Sequence, residues 1–424
     1  MKRHATIFLL FACGAAAAYA QQESTLVEDS SESSPSKAEQ RELGGNEDPL
    51  DTSNAQRDTR KAEEKAGQPA RSTGFDIYGS ARVRYRERAG ETTWEDGSSR
   101  IGIETDWQFQ EASFLFGRYE AGFNMLSTPI LDQSREEFED NVFTRLLHVG
   151  VDTSFGNLIA GKNWSPYYEV GSFTDRFMGA GGDAGGVYNA QTDGGPTGTG
   201  RADSVLQAKL SMDFLQHKAY KPYDLNVQVQ HGNSIPFGGG SNYGTAIGIS
   251  SIRTTQRKDF TIGMAYNHAT IDLDDNPSLR DVGLSGDAQA FLIGTRAFGE
   301  RWYAGLVVAR LKNHMTTDEG IYFNGWGSEF YGEYRMSDRW WLTGGYNVLE
   351  PDSDQAQAGD YRIRYGVLGL RYSFEDFRRM IFVNVRINDG MNADVTPQAN
   401  VYTIGIRWDL SKRGWHLSNQ ASRT

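Results

Sequence analysis

From Phe75 to Leu410 the chain keeps one habit: apolar side chains at every second position, with polar, charged or small ones between. In FDIYGSARVRYR, Phe75, Ile77, Gly79, Ala81, Val83 and Tyr85 alternate with Asp76, Tyr78, Ser80, Arg82, Arg84 and Arg86. RIGIETDWQF sets Ile101, Ile103, Trp107 and Phe109 against Arg100, Glu104 and Asp106. YTIGIRWDL sets Tyr402, Ile404, Ile406, Trp408 and Leu410 against Thr403, Gly405, Arg407 and Asp409. A period of two belongs to a β-strand with one apolar and one wet face. About sixteen such segments follow one another, each of roughly ten residues, the length a tilted membrane-crossing strand needs.

The connectors fall into two kinds that alternate. Short ones lie at 154–157, 298–301, 336–339 and 374–379; long polar ones lie at 87–99, 126–142, 166–201, 271–286, 350–360 and 389–399. Short turns at one end and long loops at the other predict an all-β fold, a transmembrane antiparallel β-barrel. A closed sheet this wide encloses more volume than its small and polar inner side chains can fill, so the wet faces line water and the apolar faces meet lipid. Trp107, Phe109, Trp302, Tyr303, Trp340, Trp341, Tyr372, Phe374 and Trp408 stand close to predicted turns, where aromatic girdles anchor a barrel.

Composition agrees with that economy: hydrophobic residues are only 38%, while glycine reaches 48 residues and aromatics 12%. The net charge of −12 argues against a nucleic-acid partner. The single cysteine, Cys13, falls near the N-terminus within residues 1–20, and the seven histidines form no metal-binding spacing, so cysteine nucleophiles and zinc hydrolysis have no candidates. MKRHATIFLLFACGAAAAYA reads as a secretory signal over 1–20, charged at Lys2 and Arg3 and ending in the A-x-A of Ala18-Tyr19-Ala20. Residues 21–73 are Ser-, Glu- and Gln-rich without aromatics before Phe75, a composition that predicts a disordered polar periplasmic leader. The expected organisation is signal 1–20, leader 21–73, barrel 74–410 and C-terminal tail 411–424.

Three stretches carry a family resemblance. YTIGIRWDL is similar to the carboxyl-terminal strand signal read by the barrel assembly machinery, with Leu410 where a terminal Phe is usual. FGNLIAGKNWSPYYEVGSF resembles the turn and fifth strand that lead into a constriction loop, and GRADSVLQAKL the sixth strand that leaves it. Over residues 74–410 the chain thus resembles the general porins of Gram-negative outer membranes. The resemblance implies about sixteen strands, a homotrimer embedded in outer-membrane lipid and lipopolysaccharide, and a third loop folded into the barrel. It implies passive diffusion of ions and small hydrophilic solutes, with no cofactor.

The candidate loop is 165–200, whose acids include Glu169, Asp175, Asp183 and Asp193 with only Arg176 to offset them. By strand parity Arg82, Arg84, Arg86, Arg100 and Arg118 face the lumen, so the expected eyelet sets an acidic loop across from a basic wall. The acidic loop leans the pore weakly towards cations, a lean that the arginine wall can reverse. Three other readings are open. A channel of the same fold selects phosphate, carboxylates or oligosaccharides. A barrel enzyme uses His416 and Ser418, although both lie beyond the last predicted strand. A tether acts on the envelope through 21–73.

Overall fold

A computed structural model of the chain describes residues 73–111, 113–126, 142–179, 181–190, 192–212, 223–231, 243–255, 259–274, 276–374 and 378–416. The signal, all but the last residue of the leader, most of the loop at 126–142 and Ser418 lie outside the described residues.

The described residues form seventeen strands: β1 Gly74–Arg88, β2 Glu91–Asp96, β3 Ser99–Gln110, β4 Ser113–Phe123, β5 Val142–Thr153, β6 Gly156–Trp164, β7 Arg201–Met212, β8 Tyr223–Gln230 and β9 Tyr243–Thr254. They continue as β10 Phe260–Ile271, β11 Ala288–Phe298, β12 Trp302–Thr316, β13 Tyr322–Arg335, β14 Trp340–Pro351, β15 Ile363–Ser373, β16 Arg379–Asn388 and β17 Val401–His416. From β3 on, each pairs antiparallel with the next, and β17 pairs with β1 to close the ring. β2 and β3 are halves of one stave. β1 pairs with both, Val83 facing Asp96 and Ser80 facing Arg100, and the stave breaks at Gly97 and Ser98, where Ser98 takes φ +71°. The barrel therefore has sixteen staves.

Burial follows the alternation, turned inside out. On β17 Ile406 is 57% exposed while Thr403 and Arg407 are 3% and 5% exposed. An apolar row repeated around a whole ring is accounted for by lipid, which receives it at no hydrophobic cost.

Two boundaries differ from the sequence expectation. Residues 87–99 are not a long loop: β1 and β2 pair out to Arg88 and Glu91, so the hairpin turns on Ala89 and Gly90. Its polar stretch ETTWED lacks an apolar face, which hid the strand. β17 runs past Leu410 to His416, paired there with Gly74 of β1, so the last strand takes in the beginning of the expected tail. Among the girdle aromatics, Trp302, Trp340 and Trp408 face outward as expected, and Trp340 packs against Tyr372 at 5.0 Å. Tyr303 and Trp341 lie on the inner parity instead. Tyr303 is buried with its hydroxyl on the Phe173 carbonyl, and Trp341 lies 4.7 Å from the Arg371 guanidinium.

Candidate functional site: the arginine wall and the inward loop

One face of the lumen is built by β1 to β5. Strand parity puts Arg82, Arg84 and Arg86 two residues apart on the inside of β1, Arg100 beside them on β3 and Arg118 on β4, all five buried from bulk solvent. The structure thus brings the five sequence candidates onto one wall. Arg84 donates to Glu95 at 2.9 Å, and Arg86 lies 3.3 Å from the same carboxylate. Arg118 lies 3.4 Å from Glu104 and 2.9 Å from Glu120, and its Nε donates to the Tyr78 hydroxyl at 2.6 Å.

Glu120 anchors this wall. Wholly buried, it accepts from Tyr78 at 2.7 Å, from Arg118 at 2.9 Å and from Arg145 Nε at 2.7 Å. Alternation assigns Arg145 to the lipid face, and the structure places it inside. Glu120 faces Leu146 while Ala121 faces Thr144, so Arg145 is the extra residue of a β-bulge, which lets its side chain turn inward beside the regular positions. A charged residue at a lipid-facing parity, RLL in VFTRLLHV, was the available signal.

The other face of the lumen carries the loop 165–200. It opens with a short helix, α1 Pro166–Gly171, whose N-cap is Ser165 accepting the Tyr168 amide at 3.0 Å, with Pro166 in the first turn where its missing N–H costs nothing. The chain then crosses inside the barrel over β10 to β14. A trench of glycines receives it: Gly263, Gly294, Gly305, Gly327 and Gly345 sit on the inner parity of five consecutive staves. A Cβ on Gly294 would stand 2.8 Å from Val170, one on Gly305 would strike the Phe173 carbonyl, and one on Gly327 the Ala184 carbonyl. Val170, Phe173, Phe177, Ala184 and Val187 then bury against Leu292, Val307, Leu311 and Tyr331. The inside of a wet barrel thus gains a local apolar core.

Polar clamps fix the same path. Glu329 of β13, 2% exposed, accepts the Ala184 and Gly185 amides at 2.8 and 2.6 Å and the Thr174 hydroxyl at 2.7 Å. His314 Nε2 donates to the Gly186 carbonyl at 2.8 Å, Asn267 to Thr197 at 2.7 Å and Gln230 to Gly195 at 2.7 Å. At its far reach the loop touches the arginine wall, where Arg86 Nη2 lies 3.5 Å from the Gly179 carbonyl. The loop is folded into the lumen.

The loop's carboxylates each have partners in the structure. Glu169 takes Lys209 at 3.2 Å and Ser250 at 3.1 Å; Asp175 accepts from Tyr188 at 2.7 Å. Asp183 takes Tyr365 at 2.7 Å and Arg386 at 3.0 Å. Asp193 lies 3.5 Å from Lys162 and 3.4 Å from Arg201 and accepts the Gly195 amide at 2.9 Å. Burial by itself would raise the Asp193 carboxyl, but Lys162 and Arg201 prevail and hold it below the usual carboxylate range. Glu169, Asp183 and Asp193 thus tie the loop to β6, β7, β9, β15 and β16, and Asp175 accepts from Tyr188 within the loop. Arg176, the loop's cation, lies 3.1 Å from Glu333 and 4.1 Å over the Tyr303 ring. Among the described residues no group of three or more His, Cys, Asp or Glu is placed to hold a metal ion.

No family model matches the chain. Outer membrane porin PhoE of Klebsiella pneumoniae is 24% identical to it over 320 residues, 74% of this chain and 84% of that one. PhoE of Enterobacter cloacae is 24% identical over 342 residues, 79% and 91% of the two chains. Among solved structures, Salmonella typhi OmpF in complex with daunomycin aligns with a TM-score of 0.65 at 19% identity, covering 80% of this chain and 98% of that one. OmpT of Vibrio cholerae in its trimer form aligns at 0.55 and 15% identity, over 80% and 100%. The fold of the chain, a closed antiparallel β-barrel, is what the two solved structures share with it.

Proposed function

We propose a finer reading of a chain that is a distant relative of the general porins, an integral β-barrel of the Gram-negative outer membrane forming a channel for passive diffusion of hydrophilic solutes. Its passage narrows between the loop 165–200 and the wall of Arg82, Arg84, Arg86, Arg100 and Arg118, and it favours anions. The observation that carries this is the disposition of charge: Glu169, Asp183 and Asp193 are each matched by a cation on their own side, while arginines crowd the facing wall. Glu95 is shared by Arg84 and Arg86, so that carboxylate answers two cations. A cleft lined by one sign of charge in low-dielectric walls concentrates ions of the other sign.

In this reading Glu169, Asp175, Asp183 and Asp193 position the loop, and the arginines meet the solute. The chain carries no turnover. It assembles as a homotrimer, in keeping with the trimer form of the Vibrio cholerae neighbour. Outer-membrane lipid and lipopolysaccharide cover its outward apolar band, and β17 is the segment presented to the barrel assembly machinery.

The test is the reversal potential of the purified protein in a planar bilayer under a potassium chloride gradient. A sign showing chloride as the more permeant ion, abolished or reversed when Arg82, Arg84 and Arg86 become Ala, is the expected result. A potassium preference in the parent channel, or a triple variant with unchanged reversal, overturns the reading.

A further inference from the structure

Past Gly345 the loop leaves the glycine trench and reaches across to β16, β17 and β1. This bridge is pinned on both sides of one residue. Before it, Phe177 stands edge-on to Tyr331 at 4.8 Å, so close over Gly345 that a Cβ there would come within 2.3 Å of the ring. After it, a Cβ on Gly179 would stand 3.2 Å from Thr403 and 3.4 Å from Phe382, and the Gly179 carbonyl meets Arg86. Met178, between the two, is half-buried and is the one methionine of the segment 165–200.

Met178 also lines a small cavity of about 30 Å³, together with Phe177, Phe382, Arg82, Arg84, Arg176 and Arg407. Such a space has room for roughly one or two water-sized groups and for no organic body. The charged groups of the lining are all guanidiniums, which donate hydrogen bonds and accept none. A thioether is a weak acceptor and makes little use of those surroundings. A sulfoxide carries a polar oxygen that accepts, and one oxygen is what the space admits.

We infer that Met178 is a site of reversible oxidation by small peroxides, and that its sulfoxide resets the channel. Hydrogen peroxide is a small hydrophilic solute of the kind the channel passes, so it reaches the bridge from the lumen. The sulfur lone pair attacks one peroxide oxygen, and the O–O bond breaks as the S–O bond forms. The departing hydroxide takes the proton left on the bound oxygen and leaves as water. Sulfur is oxidised by two electrons and the peroxide is reduced by two. The new oxygen accepts from the guanidiniums of the cavity and ties the bridge to the wall where the passage narrows. Met315 and Met380 are buried and shielded from this reaction. Met264 lies on the lipid-facing parity and Met125 and Met336 lie in connectors, so their oxidation leaves the passage as it was. Ion preference plays no part in the step.

The test is single-channel recording of the full-length protein before and after hydrogen peroxide, with oxidation at each methionine read by peptide mass spectrometry. A shift to one new conductance level with lower open-channel noise is expected. It should keep step with the Met178 sulfoxide and be reversed by methionine sulfoxide reductases A and B given together. Met178→Leu keeps the volume and the apolar contacts without an oxidisable atom. Its channels, shown folded by heat-modifiable migration on a gel, should hold their own level and noise through the same treatment. Parent channels with unchanged level and noise when Met178 is fully oxidised overturn the inference. So does a Met178 left unoxidised while Met336 reacts, and so does a Met178→Leu channel that shifts as the parent does.

Discussion

Removing the Glu329 carboxylate should release the loop while leaving the barrel closed. In the protein its two oxygens accept three hydrogen bonds, from Ala184, Gly185 and Thr174, in a setting 2% exposed. Each donor stranded in a dry interior costs about 1–3 kcal/mol, so Glu329→Ala has a ceiling of about 9 kcal/mol. The freed segment can take water from the lumen, which lowers the net cost to about 3–5 kcal/mol. That is comparable with what the apolar side chains Val170, Phe173 and Phe177 contribute where the loop lies on the wall, at about 1.5–3 kcal/mol each. The loop should then sample positions off the trench. Glu329→Gln keeps one oxygen as acceptor for the two amides, and its amide can still meet Thr174, so its cost should stay near 1 kcal/mol.

Two assays separate the variants. Single channels of Glu329→Ala should show raised open-channel noise and a larger mean conductance; those of Glu329→Gln should stay close to the parent. Arg176 is the only Lys or Arg in 165–200, so trypsin cutting inside the loop reports exposure of that one residue. The alanine variant should be cut there, and the parent and glutamine variant protected. An alanine variant as quiet and trypsin-resistant as the parent would refute the claim that this carboxylate holds the loop.

Other outcomes follow from the same structure. Arg145→Ala leaves Glu120 wholly buried with one fewer cation, and should destabilise the folded barrel by about 3–5 kcal/mol, read as a lower temperature of heat-modified gel migration. Gly294→Val should overpack the trench against Val170 at a cost of about 1–3 kcal/mol, read as altered channel conductance with the barrel still closed. Asp193 is held below its ordinary carboxylate range, so its contribution to the loop root is present above about pH 4 and declines as pH falls through the lower folded value. Asp193→Asn should flatten the acid-side change in channel noise, and an unaltered acid profile would count against it.

How much could be read in advance varies with the distance over which the cause acts. Strand parity is local, so Arg82, Arg84, Arg86, Arg100 and Arg118 were legible as one inward set. The neighbouring pair Trp340 and Trp341 also held its own answer, because adjacent strand residues cannot both face lipid. Arg145 escaped because a bulge adds one residue and breaks the count. The loop acids escaped for another reason. Their charge is in the sequence, but their partners, Lys209, Tyr365 and Arg386, lie up to 203 residues away in the chain, and no local pattern ties Asp183 to Arg386. The trench was hidden in plain composition: glycines spread over five strands form a groove only once those strands stand side by side.

The seam between β1 and β17 also dictates an order of events. Its partners are the far ends of the chain, Ser80 bonding Asp409 across 329 residues, so the ring cannot shut until the last strand has arrived. Yet Arg86 on that first strand meets Gly179, which lies on the enclosed segment. The enclosed segment is rooted at the ends of β6 and β7, so its contact with Arg86 ties the furnishing of the interior to the one edge of the ring that only the whole chain can close.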